Sequence, residues 1–226
     1  MKEVFVVVGK KPERGVSKTR LSQSVGEEKA LKIYEAFLKD FFTRLKIHTS
    51  FPILFFGSSN DGSGQSYFKE LFNKLECHDI KYFDQPIGGL MERLTNIFKR
   101  VEKDYPGVFV HLTGTDIPDF PFKYLHEIDY EKVNLGPDDD GGYYYVGTKA
   151  KNHFLFELPA HLEGSESLLD KTKILIRNKN MGLQEIPNWS DIDTLSDLKF
   201  SLKRSGTKVI PYTHRAYFSS LKDSLN

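Results

Sequence analysis

Cysteine is nearly absent: Cys77 stands alone in 226 residues, so neither an intrachain disulfide nor a cysteine-rich metal cage can form. The chain also lacks an excess of one charge. Lys and Arg number 32 against 31 Asp and Glu, a formal net charge of +1, which argues against a dedicated nucleic-acid binder with its strong basic excess. No apolar run approaches the ~18 residues that span a bilayer. The apolar part of Met1–Val8 is too short for a signal peptide and reads as a first strand. These absences predict a soluble cytoplasmic protein. The histidines at 48, 78, 111, 126, 153, 161 and 214 show neither H-x-x-x-H nor H-E-x-x-H spacing, which argues against a zinc hydrolase. The G-x-S-x-G elbow of serine hydrolases and the dinucleotide fingerprint G-x-G-x-x-G are absent too. No internal repeat, low-complexity tract or interdomain linker is visible.

What is present suits one α/β domain. Hydrophobic residues make up 39%, with 18 Phe and 11 Tyr, enough for one core. Strand-like and helix-like patterns alternate, which favours α/β over segregated classes. Strands are expected at Val4–Val8, Pro52–Phe56, Ile80–Phe83, Val108–Leu112, Val133–Leu135, Tyr143–Val146 and Gly182–Ile186. Helices are expected at Glu27–Leu45, Gln65–Leu75, Leu90–Lys103, Ser165–Arg177 and Thr194–Lys203, with Asn60–Gly64 a flexible turn. The tail after Ser205 is polar and carries no assignable pattern.

The most informative stretch is Val110-His-Leu-Thr-Gly-Thr-Asp-Ile-Pro118. A buried parallel strand runs into Gly114, Asp116 and Pro118, placing a carboxylate where open α/β sheets bind ligands. Gly114 permits close approach of a ligand and Pro118 stops the strand. Asp116 suits a divalent cation set against phosphate oxygens, or else merely caps the next turn. His111, inside the apolar strand, reads as a satisfied core residue.

After the first strand, Gly9–Arg20 holds Lys10, Lys11, Arg14, Lys18 and Arg20. This loop suits a polyphosphate, with Gly9 and Gly15 allowing its approach, or is a solvated basic surface. It is not a P-loop: five residues separate the glycines and Val16 follows Gly15. Asp138-Asp-Asp-Gly-Gly-Tyr143 places three carboxylates before a glycine pair and a tyrosine run, either a ligand-facing turn or an acidic hairpin. In Asp191-Ile-Asp-Thr-Leu-Ser-Asp-Leu198, helix capping accounts for Thr194 and Asp197 but leaves Asp191 as a candidate second metal ligand.

In this order the motifs resemble a bacterial family of GT-A-like transferases, described as nucleotide-diphospho-sugar transferases or glycosyltransferase-like. Some members are labelled arsenosugar biosynthesis glycosyltransferases. The matching segments are Lys11–Leu21, Gly88-Gly-Leu-Met-Glu-Arg-Leu94, Gly114–Pro118, Gly136–Tyr143 and Asp191–Leu198, and the resemblance as a whole covers roughly residues 4 to 203. The Lys-Thr-Arg-Leu loop and the closing Asp-x-Asp-Thr element are also similar to those of 2-phospho-L-lactate guanylyltransferases and, more distantly, molybdenum-cofactor guanylyltransferases.

The resemblance implies a Rossmann-like GT-A three-layer α/β/α sandwich with a mostly parallel central sheet. It implies Mg²⁺ or Mn²⁺ at Asp116, completed by Asp191 or Asp193. Phosphate contacts fall to Lys18, Arg20 and Arg93, beside Gly9, Lys11, Gly15 and Gly114. Asp140, as candidate general base, with Gly141, Gly142, Tyr143 and Glu166 would face the acceptor. Two departures fall on that acceptor side. Gly89 and Met91 stand where the family usually has an acidic residue and a glycine, and Leu162-Glu-Gly-Ser165 lacks its usual tryptophan; the only tryptophan is Trp189.

The leading expectation is a metal-dependent transferase acting on a nucleotide-sugar donor and a small-molecule acceptor. One alternative is a nucleotidyltransferase that joins an NTP to a phosphorylated small molecule and releases pyrophosphate, a chemistry the basic loop favours. Another is a nucleotide-binding protein of the same fold without turnover.

Overall fold

The first strand, β1 (Glu3–Lys10), is buried on both faces from Val4 to Val7. Covering both faces demands a near-continuous apolar run, which this segment supplies. It pairs in parallel with β2 (Ile53–Ser58) on one side and β4 (Phe109–Gly114) on the other. β3 (Ile80–Asp84) extends the sheet beyond β2. Beyond β4 come β6 (Tyr143–Lys149), β5 (Val133–Pro137) and β7 (Leu183–Glu185), giving the order β3-β2-β1-β4-β6-β5-β7. β6 runs antiparallel to both neighbours, and all other pairings are parallel. The structure, a computed structural model, describes residues 2–163 and 165–222. Gly164, in the segment noted above for its missing tryptophan, lies outside the described residues.

Helices cover both faces, completing the expected three layers. One face of the sheet, with Phe5, Val7 and Phe55, packs against α1 (Thr19–Val25), α2 (Glu27–His48), α3 (Gly64–Lys74), α6 (Leu195–Val209) and α7 (Pro211–Lys222). The other face, with Val4, Val6, Leu54, Phe56 and Leu112, packs against α4 (Leu90–Asp104) and α5 (Leu168–Asn178). α2 buries Ile33, Phe37, Phe41 and Leu45 along one stripe, the spacing that points side chains to a single helix face.

Three local expectations need correction. Ser165 does not open α5, which begins at Leu168. The backbone of Glu166 lies against Gly141, and the Leu169 amide donates to Gly141 O at 2.9 Å, so the segment before α5 follows the β5–β6 turn. The Asn60–Gly64 turn is tied down rather than flexible: Lys11 pairs with Asp61, and the Asn60 amide donates to Glu13. The tail after Ser205 is helical, extending α6 through Gly206 (φ 69°) before α7 begins at Pro211.

α7 is held from a distance. The first amides of a helix lack intrahelical acceptors. The buried Asp40 carboxylate of α2 supplies them, accepting from Tyr212 N at 3.1 Å and Thr213 N at 2.7 Å. Burial pushes the Asp40 carboxyl up, against the opposing pull of these bonds. Asp40→Ala is expected to cost about 1–2 kcal/mol. Urea denaturation would read the loss, and hydrogen exchange should rise first in the amides of α7.

Candidate active site

The carboxyl ends of β1 and β4 and the amino end of the antiparallel β6 border a cavity of about 390 Å³. Its lining includes four carboxylates, Asp116, Asp138, Asp191 and Asp193, and three cations, Lys10, Lys18 and Arg93. The first βα loop, the β4 exit, the β5–β6 turn and the segment before α6 each contribute. This is the crevice position that open α/β sheets use for ligands.

Lys18 forms part of its wall. It is the residue before α1 and adopts a left-handed backbone (φ 52°, ψ 45°). Its side chain is only 4% exposed, and Nζ lies 2.8 Å from Asp116 Oδ1, 3.1 Å from Asp193 Oδ1 and 2.6 Å from Ile192 O. Burial works against its charge, but Asp116, then Asp193 and Asp191, outweigh burial and hold the ammonium above its ordinary value. Arg20 pairs with the other oxygen of Asp193 from the exposed side of α1.

A buried ion pair fixes the segment that carries Asp191 and Asp193. Asp119, just past the β4 exit, is fully buried and accepts from Arg204 of α6, with Nη2 at 2.7 Å and Nε at 2.9 Å. Arg204 also donates to Ser190 Oγ and Ser190 O and stacks 4.1 Å above the Trp189 ring. The Ile192 amide then donates to Asp116 O at 3.1 Å, and the Asp191 amide to Asp138 Oδ2 at 3.3 Å. Thr194 and Asp197 form a reciprocal capping box at the start of α6, as their spacing predicts.

Asp191 has neighbours of its own sign. Burial first, then the charge of Asp193, pushes its carboxyl up to about 8; Lys18 opposes, while Asp138 and Asp116 add to the rise. Burial and Asp140 raise Asp138 to about 6. Among the described residues, no three His, Cys, Asp or Glu groups close around a point as a ready metal site. Two carboxylates and one carbonyl converge instead on the Lys18 ammonium. An oxygen-only donor set with surplus negative charge is nonetheless the chemistry that hard divalent cations require.

The remaining sequence candidates separate into groups. Arg93 lines the cavity, its guanidinium held by Gln85 Oε1 at 2.6 Å, and it has no carboxylate partner among the described residues. Gln85 is itself fixed by Gly9 O and Phe56 O. Gly114 faces space: a Cβ there would meet nothing nearer than Val8 O at 4.0 Å. Gly9 also lines the cavity, but a Cβ on it would press on Thr115 at 2.8 Å, so packing alone accounts for this glycine. Tyr143 lines the apolar end beside Met91, Leu94, Val146 and Leu168. Lys11 is diverted to Asp61 and Ser63, and Gly15 sits exposed in the loop at φ 69°.

Asp140 lies outside the cavity lining; its Oδ1 accepts the Gly142 amide at 3.0 Å within the turn. Gly141, at φ 85°, is needed for close backbone approach of Glu166, and Gly142 and the exposed Glu166 likewise stay outside the lining. Asp138 takes the position facing the cavity. His111 is a satisfied core residue, bonded to Tyr145 Oη at 2.8 Å and Glu3 Oε2 at 3.0 Å. Sequence reasoning missed Gln85, Asp119 and Arg204. The signal for Asp119 was a carboxylate between Pro118 and Phe120, inside an apolar stretch where burial demands a cationic partner.

A carboxyl whose folded pKa is raised favours folding below its unfolded value, and this contribution is lost as pH rises through the folded value. For Asp138 and Asp191 the window runs from about 4 up to about 6 and about 8. In chelator, Asp191→Asn should therefore gain melting temperature relative to wild type as pH rises from about 5 to about 9. A difference that stays constant over this range would contradict the electrostatics of the site.

Comparison with known proteins agrees with this architecture. Residues 60–159, which include Asp116 and Asp138, match a family described as uncharacterized protein conserved in bacteria (DUF2064). No curated protein matches the chain. A Desulfovibrio desulfuricans G20 protein, described as a proposed nucleotide-diphospho-sugar transferase, is similar in structure at TM-score 0.82 and 24% identity, covering 99% of this chain and 98% of that one. A Leptospira borgpetersenii cytidylyltransferase is similar at TM-score 0.57 and 13% identity, over 99% and 96%. 4-Diphosphocytidyl-2C-methyl-D-erythritol synthase is similar at TM-score 0.54 and 9% identity, over 97% of each chain. At these identities the likeness is one of fold: the chain has the mostly parallel, helix-flanked sheet of these transferases.

Proposed function

We propose that the protein is a metal-dependent transferase that uses a nucleotide-activated donor, with a nucleotide sugar as the donor class and a small-molecule hydroxyl as acceptor. The observation that carries this reading is the division of the cavity. Carboxylates gather around Lys18, Arg93 stands without a carboxylate partner, and an apolar end is walled by Met91, Leu94, Val146 and Leu168. The basic loop, the feature favouring attack on an NTP, turns Lys11 away toward Asp61. That observation ranks nucleotidyl transfer second.

Asp116, Asp191 and Asp193 would hold Mg²⁺ or Mn²⁺, which would supply charge neutralisation at the donor's diphosphate. Arg93, oriented by Gln85, would bind phosphate oxygens, since its donors face no competing carboxylate. Gly114 leaves room for the diphosphate to approach β4. The acceptor oxygen attacks the anomeric carbon while the bond from that carbon to the diphosphate oxygen breaks, its electron pair leaving on the nucleoside diphosphate. The acceptor's proton goes to a carboxylate. Asp138 is better placed for this than Asp140, because it faces the cavity and its carboxyl, at about 6, is ionised near neutrality.

Thermal melts against NTPs, NDPs and nucleotide sugars, each with Mg²⁺ and with chelator, test the reading. A ligand at ~100 times its dissociation constant adds about 2.7 kcal/mol. A shift for one nucleotide sugar that chelator removes is the expected result. A shift confined to an NTP would establish the nucleotidyltransferase reading instead, and a shift without turnover would point to a binding protein. Absence of any metal-dependent shift would overturn the metal-dependent transferase and the assignment of Asp116, Asp191 and Asp193 to a cation.

Once a donor is found, Asp116→Asn should abolish metal-dependent turnover while the fold persists. Asp138→Asn should lower kcat by about 10²–10⁴, the usual contribution of a positioned base. Asp140→Asn should change it little; the reverse ranking would return the base role to Asp140.

A further inference from the structure

The Lys18 ammonium has three N–H groups, and three oxygens surround it: one from Asp116, one from Asp193 and the Ile192 carbonyl. As placed, it has no donor left for a phosphate. A phosphate brought to this point would also meet the carboxylates of Asp116, Asp191 and Asp193. Direct phosphate binding by Lys18 therefore conflicts with its position.

The shell around Nζ has a second property. Two carboxylates and a backbone carbonyl form an all-oxygen, doubly anionic set of the kind that hard divalent cations take. Nζ is nearly sealed from solvent, whereas Asp116 is 43% exposed. A cation can thus reach Asp116 from the cavity side. Lysine is suited to yield to it, because its charge rides on a flexible four-carbon stem and can move without moving the backbone.

We propose that Lys18 is a place-holder for the divalent cation. Its ammonium neutralises Asp116 and Asp193 while the cation is absent; cation entry displaces it, and the freed charge turns toward the donor's phosphates. This rests on the metal-dependent reading above and adds an order to it, in which the cation binds before Lys18 becomes available. Cation and ammonium compete for the same oxygens, so removing the ammonium must tighten cation binding.

The test uses Mn²⁺ alone as probe. Electron paramagnetic resonance of free Mn²⁺ would be titrated with wild-type protein and with Lys18→Met, without nucleotide. The variant is expected to bind on the order of tenfold more tightly, within the range of a competitive coupling. In parallel, wild-type protein would be acylated with and without Mn²⁺ and Lys18 modification followed by peptide mass spectrometry. Lys18 should react slowly in chelator and faster with Mn²⁺, while exposed Lys103 stays constant. This arm needs no variant and decides the matter if Lys18→Met fails to fold. Equal or weaker Mn²⁺ binding by a folded variant, or Lys18 reactivity unchanged in protein that binds Mn²⁺, would overturn the place-holder while leaving the metal reading intact. No Mn²⁺ binding by either protein would overturn both.

Discussion

The cavity depends on the buried pair of Asp119 and Arg204. Asp119 is fully enclosed, and a carboxylate in that position persists as an ion only with a matched, hydrogen-bonded cation. Arg204 meets the need with two N–H groups and uses others to hold Ser190. One guanidinium thereby joins the β4 exit, α6 and the Trp189–Ser190 segment that leads into α6. The spacing between Asp116 and Asp193, and so the seat of Lys18, follows from this joint. Removing one partner of such a pair typically costs 3–5 kcal/mol, since the other charge is stranded.

Around that joint the site brings together charges that would repel if left alone. Asp116, Asp138, Asp191 and Asp193 come from three separate segments, and each is partly covered. Lys18 and Arg20 offset part of their charge, but burial, with the charge of Asp193 beside it, still pushes the Asp191 carboxyl up. The protein tolerates this because the segments are fastened elsewhere, by backbone bonds from Ile192 to Asp116 and from Trp189 to Pro137. The site is thus a place where local electrostatics run against stability and the scaffold holds it in place.

What could be read beforehand was whatever is encoded locally. The apolar run of β1, the helical stripe of α2, Asp116 at a strand end and the Thr194–Asp197 cap each lie within a few residues of the pattern that announces them. What escaped depends on partners far away in sequence. Nothing near Lys18 indicates that its ammonium meets Asp193, and nothing near Asp40 indicates that it caps residue 213. The acidic turn misled for a related reason. Three adjacent aspartates look equivalent in sequence, but the hairpin turns Asp138 to the cavity and binds Asp140 to its own backbone.

The α7 cap also bears on how the chain acquires its shape during synthesis. Asp40 and its acceptor role are separated from Tyr212 and Thr213 by 172 and 173 residues. α2 is made before α7, so its polar buried position is answered only after the long stretch of chain between them has followed. Until then the α2 surface that receives α7 faces solvent, or whatever chaperone is at hand. Contacts of such long sequence separation slow folding, and this one makes α7 the element that closes over α2.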